Sequence, residues 1–247
     1  IRGRLGFGFV IMQPSGRGYD HGVSTFSPDG RLYQVEYARE SVKRGTTTVG
    51  LKFRDGVVLI VDKRISSKLV IIDSIEKMYQ IDDHVGFTTS GLVADARQLV
   101  DRARVQCQVN RMTYGDSVPV TTLVKKMCDY MQSFTQYGGA RPFGVALLIA
   151  GVDAEGVHLF ETDPSGAYQS YHAGAIGRGR SVVVDHFESN WKEGMTQNAA
   201  IKLGLEALRE SIDEDLNREA VEIAVVNGDG YKKLSREDTV KHLDKLN

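Results

Sequence analysis

Apolar positions in this chain change their period several times, and each change marks an element. From Leu32, the spacing Leu32, Val35, Ala38, Val42 places apolar side chains on one helical face. Lys43 and Arg44 suit the negative end of that helix, and Gly45 follows as a stop. Upstream, Ser27-Pro28-Asp29-Gly30 is turn chemistry, with Pro presetting the second position and Gly relaxing the fourth. The period then shortens. Thr46–Leu51, Val57–Asp62, Met78–Ile81 and Val85–Thr89 are β-branched runs broken at Asp55-Gly56 and Asp82-Asp83, which predict strands. Helical spacing returns over 92–112 and 120–136. In the first, Ala96, Leu99, Val100, Ala103 and Cys107 form one stripe, and Val105, Val109 and Met112 form another on the far side. Strands are expected again at Val145–Gly151, Val157–Thr162 and Tyr168–Ala175, then helices at 180–192 and 196–212. Strands Val221–Val226 and Tyr231–Leu234 and a short helix from Ser235 close the chain.

Helices therefore come in pairs between groups of strands, not one per strand, which disfavours a doubly wound parallel sheet. Two stacked antiparallel sheets with a helix pair on each outer side fit better: an α+β, four-layer αββα sandwich with an extra N-terminal helix. The second stripe of helix 92–112 is left for either a neighbouring chain or another helix of the same domain. Only five prolines occur in 247 residues, and no linker divides the chain. The expectation is a tail over 1–18 and one domain over 19–247.

Composition narrows the function. Thirty-one basic and 32 acidic residues leave a net charge of −1, which argues against a nucleic-acid partner. The longest apolar run, Phe143 to Val152, holds two glycines and falls short of the roughly 18 residues that cross a membrane. Arg2 and Arg4 precede an apolar stretch, but it is short, glycine-broken and lacks a small-x-small site, so it reads as tail and not as a secretion signal. Cys107 and Cys128 lie too far apart for a CxxC site and read as buried thiols. The six histidines show no metal-ligand spacing, so neither metal nor cofactor is expected.

The most suggestive chemistry is Gly45-Thr46-Thr47-Thr48. A Thr freed by cleavage before it uses its own amine as base, and Asp62 and Lys77, 16 and 31 positions on, could orient it and lower its pKa. Uncut, Thr46 has only an amide nitrogen, and its hydroxyl is inert. A strand-opening Thr run is the commoner use of such a sequence. Gly177-Arg178-Gly179 before a helix hints at a phosphate loop but lacks the GxGxxG and Walker spacings. Asp163-Pro164-Ser165-Gly166 is a turn between strands.

The long segment Tyr19-Asp20-His21-Gly22-Val23-Ser24-Thr25-Phe26-Ser27-Pro28-Asp29-Gly30-Arg31-Leu32-Tyr33-Gln34-Val35-Glu36-Tyr37-Ala38 resembles the N-terminal signature of proteasome α-type subunits of the 20S core. Ser74-Ile75-Glu76-Lys77, Ser90 to Arg97, Thr135 to Gly144 and Thr162 to Gly166 extend the likeness over about 19–234, and Gln136-Tyr137-Gly138-Gly139 looks closest to the archaeal single-type α subunit. The resemblance implies the sandwich of N-terminal-nucleophile hydrolases in a non-catalytic role. Seven α subunits form each outer ring, and β subunits inside cut peptides with an N-terminal Thr. Helix 31–44 would lie across the cleft that a β subunit leaves open. Thr46, Asp62, Lys77 and Asp215 match β catalytic or supporting positions, while Arg178 stands where β subunits carry a helper Ser.

The family's functional positions also carry over. Tyr19, Asp20, Pro28 and Tyr37 match the cluster that holds the gate open. Lys77, with Gly45 and Leu92, matches the pocket between α subunits that takes the C-terminal carboxylate of a regulatory ATPase. Tyr137, Gly138 and Gly139 match the channel constriction. The resemblance thus implies a homo-heptameric ring, β subunits and an ATPase as partners, unfolded polypeptide as substrate, a cytoplasmic location, and no nucleic acid or membrane. His21 departs from the family's usual Arg, and the tail, with Phe7 and Phe9, is longer than usual. Two rival readings remain: a β-type threonine protease zymogen with propeptide 1–45, and an isolated hydrolase of small amides.

Overall fold

A computed structural model describes residues 22–64, 67, 69–212 and 216–246. Helix α1 (Tyr33–Arg44) leads into β1 (Thr48–Phe53) and β2 (Gly56–Asp62), then β3 (Met78–Asp82) and β4 (Val85–Gly91). The pair α2 (Val93–Tyr114) and α3 (Val120–Ser133) follows, then β5 (Val145–Asp153), β6 (Gly156–Thr162), β7 (Tyr168–Ser170) and β8 (Ala173–Ile176). The second pair is α4 (Arg180–Asn190) and α5 (Gln197–Glu210), and β9 (Val221–Asn227), β10 (Gly230–Lys233) and α6 (Arg236–Asp244) end the order. The strands form two antiparallel five-stranded sheets, β10-β9-β2-β1-β8 and β3-β4-β5-β6-β7.

The strand runs are continuously apolar because both faces of each sheet are covered. Along β2, Val58 and Ile60 face α5 while Val57, Leu59 and Val61 face the other sheet. Along β5, Leu147 and Ile149 pack under α2 and α3, and Ala146, Leu148 and Ala150 turn to the inter-sheet core. Three apolar layers result, separated by two sheets, and the expected αββα sandwich is the fold observed. Cys107 and Cys128 are buried in the α2–α3 layer, which pushes both thiols up to about 12 and leaves them unreactive.

One expectation changes and one open alternative narrows. The run 168–175 is not one strand: β7 pairs with β6 and β8 pairs with β1, in different sheets. The chain crosses at Tyr171 and His172, where Tyr171 N donates to Leu159 O of one sheet and His172 O accepts from Lys52 N of the other. The second stripe of α2, left open between two partners, meets no other helix among the described residues. Val105 and Val109 are exposed and Met112 is 87% exposed. Gly115 ends α2 in the left-handed conformation. Among the described residues, no helix is long and apolar enough to cross a membrane.

Candidate functional site

Four two-residue turns (54–55, 83–84, 154–155 and 228–229) close strand pairs at one end of the sandwich. The opposite end holds Thr46 and is capped by α1. Val42 of α1 enters the inter-sheet core beside Ala146 and Ile176, a burial worth about 1.5–3 kcal/mol. Arg39 reaches the β6–β7 turn and binds Asp163 through two hydrogen bonds of 2.7 and 3.0 Å. Burial pushes the Asp163 carboxyl up, but Arg39 and Ser165 outweigh it and hold the pKa below its usual value. Between α1 and this turn remains a cleft of about 440 Å³, lined by Arg39, Val42, Asp163, Gly177, Arg178 and Arg180 among others.

Gly45 ends α1, though not by adopting a left-handed conformation, since its φ is −67°. Space is the reason for glycine: a Cβ there would lie 2.2 Å from Ser90 Oγ and 2.7 Å from Gly91 N. Gly177, at φ +98°, similarly lets the β8–α4 loop approach the carbonyl of Thr46, where a Cβ would lie at 2.6 Å. That loop spends its amides inside the chain. Arg178 N donates to Gly45 O at 2.9 Å and Gly179 N to Thr47 Oγ1 at 3.0 Å. Gly177-Arg178-Gly179 is therefore a structural clasp and not a phosphate loop.

Thr46 sits at the centre. Its Oγ1 donates to Asp62 O at 2.5 Å. Lys77, only 7% exposed, donates through Nζ to Thr46 Oγ1, to Thr46 O at 2.9 Å and to Asp62 O at 3.2 Å. The Asp62 carboxylate turns away to Arg64, whose backbone N and Nη2 it binds at 2.9 and 3.1 Å. Burial pushes the Lys77 ammonium down to about 8, and the Asp62 charge opposes that only in part. The structure thus brings Thr46, Asp62 and Lys77 together as the spacing suggested. It holds the Thr hydroxyl in a closed set of hydrogen bonds.

Leu92 is exposed at the start of α2, with its N–H on Gly144 O at 2.9 Å. Asp95 joins this corner through a bidentate pair with Arg141 (2.7 and 2.8 Å) and the Gly144 N–H (2.8 Å). Sequence reasoning missed this bracket, the Arg39–Asp163 pair and Ser90, whose Oγ donates to Val42 O and Thr46 O. No residue spacing signals pairs 46 or 124 positions apart. Pro28 is exposed in the expected turn, where Gly30 N meets Ser27 O at 2.8 Å and Gly30 has φ +74°. Tyr37 is also exposed and stacks on Tyr33 at 6.4 Å. Tyr19, Asp20, His21, the tail with Phe7 and Phe9, and Asp215 lie outside the described residues. Tyr137 is 68% exposed beside Gly138 and Gly139, which have open space where a Cβ would stand. Away from these positions, Asp153, Glu155 and His158 place one ligand-type atom each within 4.8 Å of one another. Val120 N, Glu155 N and His158 already occupy the Asp153 carboxylate.

With this geometry in place, comparison with known proteins is decisive. The family of proteasome subunits matches residues 42–226, and the N-terminal signature of A-type proteasome subunits matches residues 19–40. The chain belongs to the proteasome subunits, in their α-type branch. The proteasome alpha subunit of Methanopyrus kandleri is 56% identical over 227 residues, 92% of each chain. Its namesake in Methanosarcina thermophila is 55% identical over 231 residues, 93% of this chain and 94% of its own. One from Methanococcus maripaludis is 54% identical over 229 residues, 93% of this chain and 87% of its own. The archaeal likeness read from Gln136-Tyr137-Gly138-Gly139 agrees with these relatives.

Proposed function

We propose that this α-type subunit builds and gates a proteolytic particle and cuts nothing itself. Residues 1–18 act as a gate tail on a single domain spanning 19–247. Seven copies form the outer ring of the 20S core in the cytoplasm, β subunits beneath them carry the threonine-type activity, and unfolded polypeptide passes Tyr137, Gly138 and Gly139 on its way in. The observation that carries this reading is the closed Thr46 end. The Thr46 nitrogen is bound in peptide linkage to Gly45, the Gly45 carbonyl is held by Arg178 N, and α1 seats Val42 in the inter-sheet core at this end. A hydroxyl without an adjacent free amine has no base of the N-terminal-threonine kind.

Tyr19, Asp20, Pro28 and Tyr37 hold the gate open in this proposal, and the Lys77–Gly45–Leu92 corner receives the C-terminal carboxylate of an ATPase activator. The acceptors around Lys77 support that role. All three are neutral oxygens, and the Asp62 carboxylate is engaged by Arg64, so among the described residues Lys77 has no ionised partner in hydrogen-bond contact, and an arriving carboxylate would displace one of the neutral acceptors. The exposed Val105–Val109–Met112 stripe of α2 fits burial against a neighbouring protomer.

Deleting residues 1–18 should raise peptide hydrolysis by the particle assembled with β subunits. Unchanged rates would remove the gating role. The rival zymogen reading draws on the Lys77–Thr46 hydrogen bond, and intact mass separates the two. A mature chain that keeps residues 1–45 supports the non-catalytic role, and one beginning at Thr46 supports the zymogen.

A further inference from the structure

A second concavity, remote from Thr46, lies between the start of α5, strand β10 and helix α6. Its volume is about 490 Å³, within the roughly 300–1,000 Å³ of small-molecule sites. Three lysines (Lys232, Lys241 and Lys245) and His242 line it, against two carboxylates, Asp229 and Asp238. Lys241 is committed to Asp238 at 2.8 Å, and Ser235 Oγ also donates to that carboxylate at 2.9 Å. Lys232 and Lys245 form no close ion pair among the described residues. Lys241 and Ser235 chiefly lower the Asp238 carboxyl, with Lys232 adding to it, and burial chiefly lowers the His242 imidazole, with Lys245 adding to it. The cleft therefore gathers three lysines against two carboxylates around a half-buried histidine. Helix α5, which opens onto it with Gln197 and Asn198, carries no acidic residue in its first turn to offset its positive end.

The rest of the lining identifies the kind of anion. Only Val225 and Leu234 are large and apolar, and no Phe, Tyr or Trp is present to stack a nucleobase. Asn227, Asp229, Gln197 and Asn198 offer donors and acceptors suited to hydroxyl groups. We propose that this cleft binds a small phosphorylated sugar or polyol, its phosphate toward Lys232, Lys245 and His242 and its hydroxyls toward Asn227 and Asp229.

The pH dependence follows from the groups around His242. Burial first and Lys245 second lower its pKa, while Asp238 raises it. Lys241 on the same helix, Lys232 on β10 and Asp229 in the β9–β10 turn are the other charges facing the cleft. A bound phosphate adds negative charge, favours the imidazolium and raises the His242 pKa. Binding then takes up a proton and tightens as pH falls through the range below the ordinary histidine value.

The test uses the full-length chain with glucose 6-phosphate, inorganic phosphate and glucose as separate probes. Calorimetry gives affinity, and the His242 ring resonances give its titration. Saturable binding of glucose 6-phosphate is expected, with inorganic phosphate about tenfold weaker and glucose undetected, and with the His242 titration shifted upward in the complex. The exposed pair Lys232→Gln and Lys245→Gln should weaken binding by about tenfold or more at unchanged thermal stability. His242→Asn should remove the pH dependence. Absence of saturable glucose 6-phosphate binding at mildly acidic pH, or binding that the double variant leaves intact, overturns the proposal. Equal affinity for inorganic phosphate overturns the assignment of the hydroxyl contacts.

Discussion

The two ends of the sandwich are built to different standards. At the turn end, four two-residue connections reverse the strands; crowding there falls on strand glycines such as Gly56, whose Cβ would lie 2.2 Å from Val226 O, while Gly228 in the turn itself has nothing within 4 Å of where a Cβ would stand. At the Thr46 end, the chain enters from a helix, crosses between sheets and closes on itself through Gly45, Gly91, Gly144 and Gly177, each of which has an atom within 2.7 Å of its Cβ position. One end is a simple return of the strands. The other is assembled from segments far apart in sequence, so its glycines are crowded by loops and by the ends of strands and helices.

Paired substitutions put that contrast to the test. Gly45→Ala should destabilise the chain by about 3 kcal/mol, because Ser90 and the Gly91 backbone cannot both yield. Gly228→Ala should stay within about 0.5 kcal/mol. Chemical denaturation of both variants measures the difference, and equal effects would erase the distinction between the ends. Val42→Ala removes the apolar plug of α1 and should cost about 2 kcal/mol in the same assay.

The next effect is read as a slope. Lys77 binds its proton less tightly when folded, so the unfolded chain holds more protons between about pH 8 and 10.5, and stability should rise across that window. Lys77→Met should flatten the rise; a slope unchanged in the variant would assign it to other groups. Arg39→Ala should cost less than Val42→Ala, about 1 kcal/mol for a partly exposed bidentate pair. Because the Asp163 pKa is lowered in the fold, that contribution should disappear as pH falls below the ordinary value of 3.8.

The layered architecture was legible because paired helices and two-faced apolar strands follow directly from residue period. The corner around Thr46 was only half legible. Spacing put Asp62 and Lys77 near Thr46, yet it could not show that Asp62 offers its carbonyl while its carboxylate turns to Arg64. The strand read over 168–175 failed for a related reason. Tyr168–Ser170 are exposed on the edge of one sheet and Ala173–Ile176 pair within the other, and strand-favouring residue types do not tell which sheet a strand joins. Gly45 was read as a helix stop from local grammar, although its neighbours in space impose it.

The seating of Val42 has a bearing on any attempt to engineer an active enzyme from this chain. Hydrolysing the bond before Thr46 would liberate the amine a nucleophile requires, but it would also sever the covalent tether of the helix that seals the apolar interior. Gain of chemistry and loss of solubility would arrive in a single event, so an ancestral or designed version able to cut would need a different stopper for its open core.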